Sequence, residues 1–269
     1  MAKLHIGDFT YTLPDSMNDM TKDQLISLSQ YVAAEVPIQD IKVKMLFTCL
    51  NAVVKKEIDT GVFKIQIEKN KFELTTEDVV NASAAFDYLF TDPDKDGNCF
   101  LDNRLIVNHY PELMIDGIEF NSPKKALEDL IYNQYIYLQT YDVMKEKKPQ
   151  AVYAWLGCMF RRDKSKFNPE ELNIDQMKQI KPEVIVLMMW FWIGSCRFIA
   201  DKFPRIFPDD GTSSAGANPY DGQQKLLNYI AKGDPEKKRA YKTDMLYDIL
   251  YSLDYLLEKE EKQTPVGEL

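Results

Sequence analysis

Apolar and polar positions along this chain follow two periods, and each period marks a different kind of element. Three short stretches alternate every second residue about a two-residue turn. Leu4 and Ile6 are answered by Phe9, Tyr11 and Leu13 across Gly7-Asp8. Phe63, Ile65 and Ile67 are answered by Phe72 and Leu74 about a turn within Lys69 to Lys71, and ELMI is answered by IEF across Asp116-Gly117. A period of two predicts strands with one buried face, and an Asp-Gly pair accepts the positive φ that a tight hairpin turn requires. Each hairpin is followed by a helix-start signal: Thr21 with Gln24, Thr75 with Asp78, and Ser122 with Pro123. The hairpin-then-helix order recurs without a residue-level repeat.

Elsewhere the period lengthens to that of a helix. It predicts helices near 21–35, 38–56, 76–90, 123–147, 149–161, 170–179, 182–202, 220–231, 235–240 and 243–262. The most apolar of them, Val184 to Ala200, holds a single charge, Arg197, and falls short of the roughly 20 apolar residues needed to cross a bilayer. It reads as the central buried helix, with Trp190 as a core side chain. In the last helix Leu246, Ile249, Leu250, Leu253, Leu256 and Leu257 form an apolar stripe that needs a partner surface, inside the fold or on another chain. The expected fold is mainly α with small antiparallel β-hairpins (α+β), a helical core surrounding the 182–202 helix. Residues 1–121 make a mixed hairpin and helix region, and 122–269 a helical region with a mobile loop at 209–219; a single continuous domain is the alternative.

Composition narrows the function classes. With 42 acidic and 33 basic residues in 269, the net charge is -9, and the short basic runs lie near helix ends rather than on one face. A polyanion would be repelled at long range, which argues against nucleic-acid binding. Cys49, Cys99, Cys158 and Cys196 are far apart with no CxxC pair, the pattern of reduced thiols in a cytosolic protein. The opening MAKLHIGDFTYTLP has no signal-peptide pattern. These features predict a cytoplasmic protein with no membrane partner.

The sharpest chemical signal is Asp92-Pro-Asp94-Lys-Asp96-Gly97-Asn98, where carboxylates at alternate positions precede a glycine, as a calcium loop needs. The EF-hand pattern then fails. Its twelfth position is Asn103 rather than a bidentate glutamate, and Asp102 lies one place early. The candidate calcium ligands are Asp92, Asp94, Asp96, Asn98 and Asp102, against the reading of a solvated acidic turn. No catalytic pattern accompanies them. His5 and His109 have no marked partners, and phosphate-loop, zinc-protease and nucleophile-elbow spacings are missing.

Five stretches carry a resemblance: LPDSMNDMTKDQLISLSQYV at 13–32, FELTTEDVVNASAAFDYLF at 72–90, LEDLIYNQYIYLQTY at 127–141, AVYAWLGCMFR at 151–161 and VLMMWFWIGSCRFIADKFPRIF at 186–207. They resemble an uncharacterised family of Bacteroides-group bacteria and their phages, and look similar to phage tail-assembly proteins. The resemblance implies a component of a phage or prophage structural module, cytoplasmic in a bacterial host or virion-associated, and supplies no catalytic residues. The expected function is therefore non-enzymatic: an interaction and assembly protein that binds another protein, either a phage structural component or a second copy of itself. A calcium-binding module using the acidic loop, and an enzyme of unknown class, are the alternatives.

Overall fold

The computed structural model describes residues 1–163, 166–208 and 219–263. The loop expected at 209–219 falls outside them but for the backbone of Pro219. The fold is α+β and mainly helical, with ten α-helices among the described residues and small antiparallel sheets of two or three strands. The chain divides into two compact units, Met1–Leu105 and Ile106–Leu269.

The first unit opens with the expected hairpin of β1 (Ala2–Ile6) and β2 (Phe9–Leu13), with Leu4 opposite Tyr11. Thr21 then starts α1 (Lys22–Ala33) through a full capping box, in which its hydroxyl accepts from the Gln24 amide and the Gln24 side chain accepts from its own amide. After α1 comes α2 (Ile38–Leu50), which is shorter than the sequence period suggests. Asn51 adopts the left-handed conformation (φ 50°) and its amide closes the last turn on Phe47 and Thr48. Asn accepts that conformation at little cost, so the helix stops there. The β-branched residues that follow enter a strand instead, giving β3 (Ala52–Asp59) beside β4 (Val62–Ile67) and β5 (Asn70–Thr75). The hairpin between β4 and β5 pairs Ile67 with Asn70, which places its turn at Glu68-Lys69. Thr75 and Asp78 form the second capping box, at the head of α3 (Thr76–Ser83). The helical stretch expected to reach residue 90 continues only as a 3-10 segment, Ala84–Leu89. Leu13, Leu25, Leu28, Met45, Ile65, Phe86 and Leu89 make the core of this unit.

The third hairpin, β6 (Glu112–Ile115) and β7 (Ile118–Asn121), turns through Asp116 (φ 52°) and Gly117 (φ 74°), as that pair predicts. Asn121 and Arg161 exchange both backbone hydrogen bonds at 2.7 and 2.8 Å, which ties the hairpin to the second unit. The division therefore falls at 105/106 rather than at 121/122. Ser122 does not cap a helix. Its hydroxyl donates to the Tyr110 carbonyl at 2.5 Å and accepts from Asn108. Ala126 and Leu127 are left-handed (φ 52° and 62°) and buried, so α4 begins only at Tyr132 and runs to Lys147. Then follow α5 (Ala151–Met159), α6 (Ile174–Met177), α7 (Pro182–Lys202), α8 (Pro219–Ile230), α9 (Pro235–Thr243) and α10 (Leu246–Gln263). The helix expected at 170–179 contracts to the single turn of α6, behind a left-handed Asn173.

At the centre of this unit, α7 sets Trp192 against Tyr135 of α4 and Trp155 of α5, with ring centroids 5.7 and 6.4 Å apart. Trp155 and Trp192 are the buried tryptophans, whereas Trp190, expected in the core, is only half-buried on the same helix. Two residues are a little over half a turn at 3.6 residues per turn, so positions 190 and 192 fall on opposite faces of the helix. Among the described residues α7 is the helix whose length and apolarity would suffice to cross a membrane, yet Val184, Leu187, Met188, Phe191, Trp192 and Ile199 are spent on the core. The α10 stripe is covered in the same way: Leu246, Ile249, Leu250 and Leu253 are buried within the unit.

Two positions carry predictions. A Cβ on Gly157 of α5 would stand 2.1 Å from the Leu172 carbonyl oxygen, a backbone atom that cannot swing aside. Gly157→Ala is expected to destabilise by about 1–3 kcal/mol in urea denaturation, the usual range for overpacking. Ala126, by contrast, holds a left-handed conformation that costs an L-residue about 1–2 kcal/mol and glycine almost nothing. Ala126→Gly should leave stability unchanged or raise it by up to about 1 kcal/mol, where the same change in a right-handed helix lowers it by about that much.

Candidate functional site

The acidic loop is built as a closed turn. Thr91 donates its amide to the Phe100 carbonyl and Asp102 its amide to the Leu89 carbonyl, both at 2.8 Å, so the two ends pair like a short ladder. Within it the Asp94 carboxylate accepts from the amides of Asp96 and Asn98, each at 2.8 Å. Those amides, Asn98 first, hold the Asp94 carboxyl below the usual aspartate range. The Asn98 carbonyl accepts from the Asp94 amide at 2.9 Å, and Asp102 pairs with Arg104 at 2.9 Å. Asp92, Asp94 and Asp96 are exposed, and among the described residues no three His, Cys, Asp or Glu side chains gather as a metal cage. Asp94 Oδ1 accepts both amides and Asp102 Oδ2 pairs with Arg104, so a cation would compete with Arg104 for Asp102 and would still lack the bidentate carboxylate of a calcium loop.

Other reactive groups are quiet. His5 shares a 2.9 Å hydrogen bond with Thr10. Burial pushes the Cys49 thiol up to about 12 and those of Cys158 and Cys196 higher still, which keeps all three protonated at neutral pH.

Three surface features stand out, and two of them are clefts. In the first unit a cleft of 460 Å³ is walled by Leu4, Ile6, Leu46, Leu50, Ile65 and Ile67. Asp78 lies on it, but its carboxylate is already engaged by Thr75 in the capping box, at 2.8 and 2.9 Å. In the second unit a cleft of 510 Å³ is lined by Gly157 and by the charged Arg161, Arg162, Asp163, Lys166 and Glu171.

The third feature is a face of α10. Tyr247, Tyr251 and Tyr255 are four residues apart, which aligns them on one side of the helix, away from the buried Leu and Ile stripe. The Tyr247 hydroxyl donates inward to the Ala126 carbonyl at 2.9 Å. Tyr251 and Tyr255 remain 53% and 65% exposed, large values for tyrosine on a folded surface. Lys202, at the end of α7, sets its ammonium 4.9 Å from the Tyr247 ring centre and 5.1 Å from that of Tyr251, while Phe203 meets Tyr251 edge-on at 5.1 Å. Beside this stripe Arg205 pairs with Asp254 and Glu261, and a hydrogen bond to Glu260 raises the Tyr229 phenol above its ordinary range. Sequence reading placed α10 as an interaction element through its leucines; its solvent side carries the tyrosines instead, and their spacing of four was the signal that could have found them.

The acidic loop yields a prediction. Calorimetric titration with calcium is expected to give no saturable heat and no change in Tm, since Asp102 is held by Arg104 and no bidentate carboxylate completes the loop. A micromolar dissociation constant abolished by Asp94→Ala would overturn it. No protein-family model matches the chain, and neither the curated proteins nor the solved structures contain a match to it.

Proposed function

We propose that this chain is a non-enzymatic interaction and assembly protein that docks a basic segment of a partner protein on the tyrosine face of α10. The observation that carries the reading is the exposure of Tyr251 and Tyr255 in line with Tyr247, where Lys202 already stacks. Tyrosine offers a large, stiff contact area with a polar tip and is enriched in protein interfaces. The electrostatics choose the partner's charge. The helix carries five acidic residues, Asp248, Asp254, Glu258, Glu260 and Glu261, against Lys259 and Lys262, and the whole chain is at -9. A cationic helix is drawn to such a surface, and its Lys or Arg side chains can lie over the free tyrosine faces as Lys202 does.

A component of a phage or prophage structural module is the setting in which the resemblance would put such a protein, with the partner a structural component of the same assembly. Each exposed cation–π contact adds only about 0.5–1 kcal/mol, so several must act together, and a dissociation constant near micromolar is expected.

Fluorescence anisotropy with a labelled Lys- and Arg-bearing amphipathic peptide tests this directly. Binding should weaken with salt, fail for an acid-substituted peptide, and fall at least about tenfold in the Tyr251→Ser/Tyr255→Ser double variant at unchanged Tm. Equal binding by that variant would sink the docking face. Concentration-dependent dimers in light scattering, lost in the same variant, would assign the face to a second copy instead.

A further inference from the structure

The cleft beside α5 holds a side chain whose chemistry is unfinished. Arg161 is only 7% exposed, and its Nε is buried with no hydrogen-bond partner. The single hydrogen bond made by its guanidinium runs from Nη1 to the Lys166 carbonyl at 3.4 Å. Asp129 and Asp163 reach it through their fields without bonding to it, and burial outweighs them, drawing the guanidinium below its ordinary range. An arginine buried this far normally completes its fork on a carboxylate, because an uncompensated buried charge costs several kcal/mol (of order 3–5) relative to a paired one. Here Arg161 lines a 510 Å³ cleft instead.

The surroundings fix the wall that faces Arg161 and the backbone of Arg161 itself. Its backbone is locked to Asn121 by the pair of 2.7 and 2.8 Å hydrogen bonds, and the opposite wall passes so close over α5 that only Gly157 leaves room for Leu172. That wall is itself fixed by Asn168, which accepts from the Glu170 amide and donates to Glu171, and by Asn173, which donates to the Glu171 carbonyl. Two further cations line the cleft, Arg162, which lies 5.6 Å over the Phe120 ring, and Lys166, both exposed, together with two acids, Asp163 and Glu171, of which Glu171 is held by Asn168.

We propose that this cleft is a binding site for a small organic oxyanion, a phosphate or carboxylate group taken bidentately by the Arg161 fork, with Arg162 and Lys166 adding charge at the mouth. Planar two-point recognition is what a guanidinium does best, and a partly desolvated cleft strengthens it. The volume leaves room for a ligand body beyond the anionic group. A purely structural arginine would have its bonds satisfied inside the protein.

The full chain can be tested with inorganic phosphate and with malonate as probes. Millimolar phosphate or malonate should raise the Tm of the native protein by a few degrees, and the response to each separates phosphate from carboxylate preference. Arg161→Met should melt at or above the native temperature without ligand, since it removes an unpartnered buried charge, and should lose the anion-induced rise. A structural arginine predicts the reverse, a large fall in Tm for Arg161→Met. Should that variant not fold, Arg162→Gln/Lys166→Gln must weaken anion affinity several-fold in calorimetry and flatten its salt dependence. An equal rise in native and Arg161→Met proteins, or no response to either anion, would overturn the proposal.

Discussion

The second unit is organised by the burial of aromatic rings at its centre, where the Tyr132 and Tyr135 hydroxyls are bonded while the Trp155 Nε1 is buried without a partner. Trp192, Tyr135 and Trp155 meet at the centre, and a tyrosine cannot be taken out of water with an idle hydroxyl without losing much of what its ring gains. The solution is a chain of side chains. Tyr132 donates to Gln223, Gln223 to Gln139, and Gln139 to the Tyr135 hydroxyl, at 2.5, 2.9 and 2.8 Å. This relay joins two positions of α4 to α8 and fixes how those helices lie together. Desolvation accordingly raises the Tyr132 and Tyr135 phenols above their ordinary range, Tyr135 most strongly, which keeps them as neutral donors and acceptors at any physiological pH.

What was legible in the sequence follows from locality. The first and third hairpins, both Thr capping boxes and the bounds of α7 are set by residues within a few positions of one another, so pattern alone suffices. Where the expectation failed, a distant segment or a single backbone conformation decided. Nothing in the run through residue 56 opposes a helix until Asn51 turns left-handed and the strand finds β4. The helix expected from 123 gives way to left-handed Ala126 and Leu127, residues whose types argue against that conformation. It is held by contacts from afar: the Ala126 amide donates to the Ile106 carbonyl and its carbonyl accepts from Tyr247.

The candidate sites divide along the same line. The acidic loop was conspicuous in sequence because its carboxylates are adjacent, yet adjacency lets the loop consume its own oxygens: Asp94 on two amides and Asp102 on Arg104. The Arg161 cleft was silent because an arginine at the end of an apolar helix looks like any charged helix terminus. Its significance lies in what is missing around it, and that depends on β7, the Leu172 wall and Asp129, which sequence does not bring together.

Net charge and local charge pull in different directions here, and the difference matters for function. At -9 the chain as a whole favours cations over anions near its surface, within a screening length of about 8 Å at physiological salt. The docking proposed for the α10 face would work with that field: a basic partner would be favoured electrostatically and then held by ring contacts that are individually weak. The Arg161 cleft works against it. In the proposed site an anion would meet Arg161, Arg162 and Lys166 at short range, set against the Asp163 and Glu171 carboxylates that line the same cleft. A site of that kind would gain selectivity from its own obstacle, since diffuse polyanions would be disfavoured by the whole surface while a compact ligand that fits two-point geometry would be retained.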